Sequence, residues 1–361
     1  MARIELRAVA HSYGAHAKSE REFAVKQLDL IWEDGGAYAL LGPSGCGKTT
    51  VLGIMSGLLK PSQGTVWMDG RDVTQLPPGQ RNVAQVFQFP VIYDTMTVFD
   101  NLAFPLRNRG ASAAEARARV ERIAELLELS GELSRTASGL PGDLKQRISL
   151  GRGLVRKDVA AILLDEPLTV IDPHLRWLLR RKLMEIHTEL RVTLVYVTHD
   201  QLEALTLADQ VVVMRDGYVL QRGTPQALFE QPEHTFVGHF IGSPGMNLMP
   251  CTLEAQQVSL AGQRMAAPAP WAALTGEFEI GVRPEFLRLE TEPSPTRLRV
   301  RIRQVAQLGG FNIISAQLGE LTVNIKTPAD ELPEQGADYW LAFPAHQTHL
   351  YRAGHRVELA S

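Results

Sequence analysis

The chain has 361 residues, 45% of them hydrophobic and 21% charged, with a formal net charge of −3 and two cysteines. At roughly 100 to 200 residues per domain, this length suggests two domains or three, with a sizeable core. No apolar run reaches the roughly 18 residues of a membrane span, the mixed charges form no footprint for nucleic acid, and Cys46 and Cys251 are too isolated for a disulfide framework or metal-ligand spacing.

The opening segment MARIELRAVAHSYG alternates apolar and polar residues like a strand and lacks the apolar core of a secretory signal, which fits a reducing cytoplasm. Tyr13, by itself, reads as an ordinary core or edge aromatic. AYALL (37–41) is short and continuously apolar, as expected of a strand buried on both faces. Directly after it comes GPSGCGKTT, formed by Gly42, Pro43, Ser44, Gly45, Cys46, Gly47, Lys48, Thr49 and Thr50, followed by a predicted helix. The pattern is that of a phosphate-binding loop. Glycines let backbone N–H groups wrap an anion, Lys48 supplies charge, Thr49 offers a hydroxyl to Mg²⁺, and the helix N-terminus favours the phosphate. An incidental Gly-rich turn explains neither the strand before it nor the helix after it.

Gln88 follows the apolar run VAQVF and opens a helical insertion, a place from which it can report on Mg²⁺ and an attacking water. In the insertion, Ser112 and Glu115 form a capping-box signature ahead of Val120, Ile123 and Leu127 at helical spacing. LPGDLKQR (140–147) then precedes AAILLDEP, where Asp165 ends a predicted buried strand and Glu166 stands beside it. Asp165 is placed to hold Mg²⁺ and Glu166 to take a proton from water. Two carboxylates at a strand end are otherwise expected to repel each other. Asp172 and Pro173 read as the cap and first residue of a helix with Leu175, Leu178, Leu179, Leu183 and Ile186 on one face. The strand VTLVYV (192–197) ends at THD, bringing His199 to the sheet edge where open α/β sheets bind ligands. Apolar runs alternating with amphipathic helices imply α/β architecture with a largely parallel sheet.

Beyond GSPGMNLMP (242–250) prolines multiply and short alternating segments replace helices. RLRVRIRQV puts Leu298, Val300 and Ile302 on one side of a strand and Arg297, Arg299, Arg301 and Arg303 on the other. Without interleaved aromatics, the arginines read as a solvated face paired with acidic neighbours rather than an oligonucleotide platform.

HSYG, GPSGCGKTT, RNVAQVFQ, LLDEPL, DPHLR, VTHDQLEAL, GSPGMNLMP and GVRPEFLRL, in this order and spacing, resemble the ATP-binding subunit of an ABC importer of the carbohydrate and polyol group. The resemblance implies an α/β P-loop NTPase domain over 1–235, with a helical subdomain at about 89–157, and an all-β OB-like (TOBE) regulatory domain over 236–361. It also implies ATP and Mg²⁺ as ligands. Tyr13 would stack on adenine, Thr49, Gln88 and Asp165 would serve the metal, Glu166, His199 and Gln88 would be catalytic, and Asp172 would lie in the loop after the acidic pair. Two such ATPases would pair head to tail beneath two membrane permease subunits, at the cytoplasmic face of the membrane. An extracytoplasmic binding protein would feed the permeases, and no nucleic acid is involved. The solute would be a sugar or polyol, and the signature together with DEPLTVID is similar to glycerol-type importers. Alternatives are a soluble non-transport ABC ATPase and a subunit that binds ATP without turning it over.

The chain departs from the family at the signature segment, normally L-S-G-G-Q. Here Leu140, Pro141, Gly142, Asp143 and Leu144 stand in its place. Pro141 has neither hydroxyl nor N–H, and Asp143 adds negative charge where the partner's γ-phosphate would sit. At about 4 Å and an effective dielectric near 20, two such charges repel by about 4 kcal/mol. Lys145 is the one candidate to neutralise it. With Asp143 left bare a weak or inactive composite site follows, and with it a heterodimer with a paralogous ATPase in preference to a homodimer.

Overall fold

In the computed structural model, which describes residues 2–14, 19–156 and 159–358, the alternating N-terminal segment forms the strand Ile4–His11. It pairs antiparallel with Val25–Trp32 on one side and Gln63–Met68 on the other, and Arg71–Asp72 completes a four-stranded sheet. The continuously apolar segments form the second sheet. Its order is Tyr218–Gly223, Gln210–Arg215, Ala37–Leu41, Thr193–Thr198, Ala161–Asp165, Val83–Val86, and all neighbours are parallel except the first pair. The three strands Ala37–Leu41, Ala161–Asp165 and Thr193–Thr198 are buried along their whole length, as parallel strands covered on both faces must be.

One hydrophobic cluster joins the two sheets through the helix Lys48–Ser56, with Leu6, Trp32, Leu40, Val51, Ile54 and Val195 among its members. A second packs the helical insertion and the helix Pro173–Leu190 against the other face, through Leu102, Ile123, Ile148, Leu164, Leu183 and Ile186. The helix Ala113–Leu126 starts at Ser112 with both capping-box hydrogen bonds formed. Asp172 caps Pro173–Leu190 by accepting from the His174 N–H at 2.8 Å.

Packing divides the chain into the units Met1–Pro225 and Gln226–Ser361, ahead of the boundary at 235/236 expected from sequence. Arg283 is one reason. Its buried guanidinium donates to the carbonyls of Phe229, Gly238 and Ile241 and lies over the Phe229 ring, which holds the segments Pro225–Glu230 and Thr235–Phe240 in the C-terminal unit. Burial lowers its pKa to about 10, so it stays charged at neutral pH.

The rest of that unit is two antiparallel sheets, one of six strands and one of five, around a single core containing Leu298, Val300 and Ile302. On the outer face Arg297 pairs with Glu290, Arg299 with Asp338, and Arg303 donates to Gln317. The face is solvated as expected of the arginine stripe, with acidic partners for Arg297 and Arg299. Among the described residues no helix is long and apolar enough to cross a membrane.

Candidate active site

The phosphate loop follows the central strand Ala37–Leu41 and ends where the helix Lys48–Ser56 begins. Two of its glycines are required by geometry. A Cβ at Gly42 would lie 2.2 Å from the Met214 carbonyl oxygen, and one at Gly47 would lie 2.6 Å from that of Ala24, with φ +102° besides. Lys48 Nζ turns back into the loop and donates to the carbonyls of Gly42 at 2.8 Å and Pro43 at 2.9 Å. The buried Cys46 sulfur lies 3.8 Å from the same nitrogen. Burial pushes the Cys46 thiol up, and the nearby ammonium of Lys48 offsets only part of that. At the other side of the loop, the exposed Tyr13 shares a hydrogen bond with the Thr50 hydroxyl at 2.9 Å, and the His11 ring meets Tyr13 edge on at 4.8 Å. Tyr13 is thus part of the phosphate-loop neighbourhood, which its position in the sequence alone does not disclose.

The strand Ala161–Asp165 is parallel to Thr193–Thr198, which in turn neighbours Ala37–Leu41, so three strand ends deliver their residues to one edge. Thr49 donates its hydroxyl proton to Asp165 Oδ1 at 3.1 Å. Asp165 is buried, and desolvation, together with the charge of Glu166, raises its pKa against the opposing pull of Thr49 and Lys48. Glu166 has a left-handed backbone, φ 45°, held by its N–H to the Val197 carbonyl at 2.9 Å. Non-glycine residues adopt that conformation rarely, and it turns the side chain out of the strand direction.

Three groups converge on Glu166 Oε2: Gln88 Nε2 at 3.3 Å, the Thr169 hydroxyl at 3.3 Å and His199 Nδ1 at 3.1 Å. Gln88, Glu166 and His199, far apart in sequence, therefore meet at one carboxylate oxygen. Thr169 is not anticipated by sequence reasoning. The signal available for it is its place three residues after Glu166, on a turn closed by the Thr169 N–H to Glu166 carbonyl bond. A carboxylate gripped by a histidine and two further donors is held in one orientation, which is what a general base requires.

The donor set fits a nucleoside triphosphate with a hard divalent cation. The loop is a cradle that a Cβ at Gly42 or Gly47 would fill, and Lys48 stands inside it. Among the described residues no three His, Cys, Asp or Glu side chains are grouped to hold a metal unaided. Thr49 and Asp165 are two oxygen donors, which suits magnesium when phosphate and water complete its shell.

The segment Leu140–Leu144 starts the helix Gly142–Leu154, with Pro141 as an N-cap that makes no side-chain capping bond. Leu140 is buried and Leu144 packs partly against the insertion core. One expectation is corrected here. Asp143 is neutralised not by Lys145 but by Arg147, whose Nη2 lies 3.2 Å from Asp143 Oδ2. Residues four apart on a helix face each other and residues two apart do not. Lys145 accordingly points elsewhere and pairs with Asp94 at 2.8 Å. The electrostatic ground for an asymmetric pair of unlike ATPases is weakened with it.

Residues 25–169 match the family model for ABC transporters, and residues 280–350 match the TOBE domain. The sn-glycerol-3-phosphate import ATP-binding protein UgpC of Salmonella typhi is 36% identical over 368 residues, spanning 99% of this chain and 100% of the relative. The protein of the same name from Escherichia coli strain UTI89 is 35% identical over 363 residues, spanning 99% of this chain and 100% of its own. Among solved structures, a dimeric ATP-binding cassette in a post-hydrolysis state, bound to ADP and Pi, aligns with a TM-score of 0.55 and 27% identity over 62% of this chain and 98% of its own. The ATP-binding subunit of another ABC transporter aligns with a TM-score of 0.55 and 23% identity over 62% of this chain and 91% of its own, a likeness of fold.

Proposed function

The chain belongs to the ATP-binding subunits of ABC transporters, and from that premise we propose that it hydrolyses ATP to drive uptake of a glycerol-phosphate, sugar or polyol solute. Its relatives named as glycerol-phosphate import proteins match it from end to end, which supports this solute class. The observation that carries the catalytic reading is the convergence of Gln88, Thr169 and His199 on Glu166 beside the Thr49–Asp165 pair.

In this reading the loop from Gly42 to Thr50 holds the phosphates through its backbone N–H groups, and Lys48 exchanges its loop carbonyls for phosphate oxygens. Tyr13 stacks on the base. Thr49 and Asp165, with Gln88 close by, would hold Mg²⁺, which supplies positive charge against the phosphates. Glu166 takes the proton of the attacking water while His199 and Gln88 keep its carboxylate aimed. Because these groups are all present and Gln88, Thr169 and His199 meet at Glu166, a subunit that only stores ATP is the less favoured alternative.

The partners are a second ATPase and two permeases, with a solute-binding protein outside, and the chain is peripheral at the cytoplasmic face. With Asp143 ion-paired internally, a second copy of this chain serves as the ATPase partner without a paralogue. Glu166→Gln tests the reading: ATP binding is retained and hydrolysis falls by about 10²-fold to 10⁴-fold, the usual worth of a general base. Unchanged turnover would remove Glu166 from the role. Uptake of labelled glycerol-3-phosphate, glycerol and maltose by cells with and without the gene identifies the solute.

A further inference from the structure

Gln146 lies one turn inside the helix that starts at the signature, and it is completely buried. Its Nε2 donates to the carbonyl of Phe87 at 3.1 Å and to that of Pro167 at 2.9 Å. Phe87 immediately precedes Gln88 and Pro167 immediately follows Glu166. One amide nitrogen thus sits between the two loops whose side chains meet at Glu166 Oε2. With two carbonyls facing that nitrogen, a flipped amide would set oxygen against two oxygens, so the bonding itself fixes the orientation. The other end of the amide, Oε1, is buried without a hydrogen-bond partner. An unpaired buried acceptor is destabilising, and an apolar side chain of similar size would avoid it. What the glutamine supplies in return is the bridge.

The same helix also fastens the rest of the segment that follows Gln88. Lys145 pairs with Asp94, the Ser149 hydroxyl accepts from the Val91 N–H at 3.3 Å, and Arg152 donates to the Val91 carbonyl at 2.6 Å. These bonds hold the far part of that segment, whereas Gln146 holds its start and reaches the acidic pair as well.

We propose that Gln146 is a positioning residue for ATP hydrolysis: it sets the spacing between Gln88 and Glu166 by gripping the carbonyls beside each, and ties both to the signature helix. The proposal rests on the catalytic reading of Gln88 and Glu166 given above.

Gln146→Leu keeps the volume and removes both donors. Measured on the full chain in the assembled transporter, kcat falls about tenfold to a hundredfold, the scale of a misplaced catalytic group. ATP affinity stays within about twofold, since the phosphate loop is untouched. A residue acting only on stability would lose kcat additively with other changes. The discriminating measurement is therefore a double-mutant cycle: in a Gln88→Ala background, Gln146→Leu costs less than about threefold more, because the Gln88–Glu166 contact whose spacing it sets is already gone. Gln146→Asn, which is shorter and can reach one carbonyl at most, serves if the leucine variant does not fold, and it shows the same non-additivity with a smaller loss. Additive losses, a wild-type kcat, or a loss of ATP affinity matching the loss of kcat overturn the proposal. Glu166→Gln run alongside separates the two layers: if it turns over normally the catalytic reading itself fails, and if it is crippled while the cycle is additive only the role of Gln146 fails.

Discussion

Asp143→Asn removes a negative charge from the first turn of the signature helix, and the structure sets how much that matters. A bare carboxylate about 4 Å from a phosphate charge, at an effective dielectric near 20, is repelled by about 4 kcal/mol, or roughly a thousandfold in rate. Asp143 is not bare. The Arg147 guanidinium lies 3.2 Å from it. Were it on the far side of the carboxylate, and so about 7 Å from the same phosphate, that guanidinium would return about 2 kcal/mol. The Asp143 side chain is 33% exposed, so solvent weakens both contributions. What remains is below about 2 kcal/mol, and losing an acidic group from a helix N-terminus offsets a further 0.3 to about 1 kcal/mol. Asp143→Asn is therefore expected to raise ATPase kcat/KM of the reconstituted transporter by less than about thirtyfold. Arg147→Gln, which leaves Asp143 uncompensated, lowers it. A gain approaching a thousandfold on Asp143→Asn would refute the compensation and return the argument to an asymmetric pair.

Asp165→Asn abolishes magnesium-dependent turnover but raises the melting temperature at neutral pH. Its folded pKa lies above the ordinary 3.8, so the folded state holds the proton more tightly, and the carboxylate's contribution becomes less favourable as pH climbs through that range. Thermal scans from pH 4 to 8 check this, the gain over wild type growing while the folded carboxylate titrates and level above that. Glu203→Ala leaves the buried Tyr196 and Thr198 hydroxyls without the carboxylate that accepts from both at 2.9 Å and 2.8 Å. Urea denaturation should show a loss of about 2 to 4 kcal/mol, from unpaired buried hydroxyls at the strand end leading to His199. Neither thiol should react appreciably with iodoacetamide near pH 7.5 until the chain is unfolded, because burial raises Cys46 and carries Cys251 up to about 12, and only the thiolate is nucleophilic. Mass spectrometry of alkylated peptides reads this directly.

The sequence by itself determined whatever rests on local pattern. Short continuous apolar runs rich in branched residues read as strands covered on both faces, and GPSGCGKTT between such a strand and a helix reads as a tight anion-wrapping turn. Ser112 with Glu115, and Asp172 with Pro173, mark helix starts because capping is a matter of three or four adjacent residues. Alternation over 297–303 likewise sorted Leu298, Val300 and Ile302 inward.

Only the tertiary structure decided which side chains face each other. The shared edge of Glu166 and His199 is legible from the strand ends, and Gln88 is grouped with them by resemblance, but that all three meet at one carboxylate oxygen, with Thr169 beside them, is not. The partner of Asp143, the reach of Gln146 to two loops, and the hold of Arg283 on two helical segments depend in the same way on direction. Residue type tells what a group can bond, whereas backbone geometry tells where it points, and a hydrogen bond or ion pair exists only where the two agree within a few tenths of an ångström.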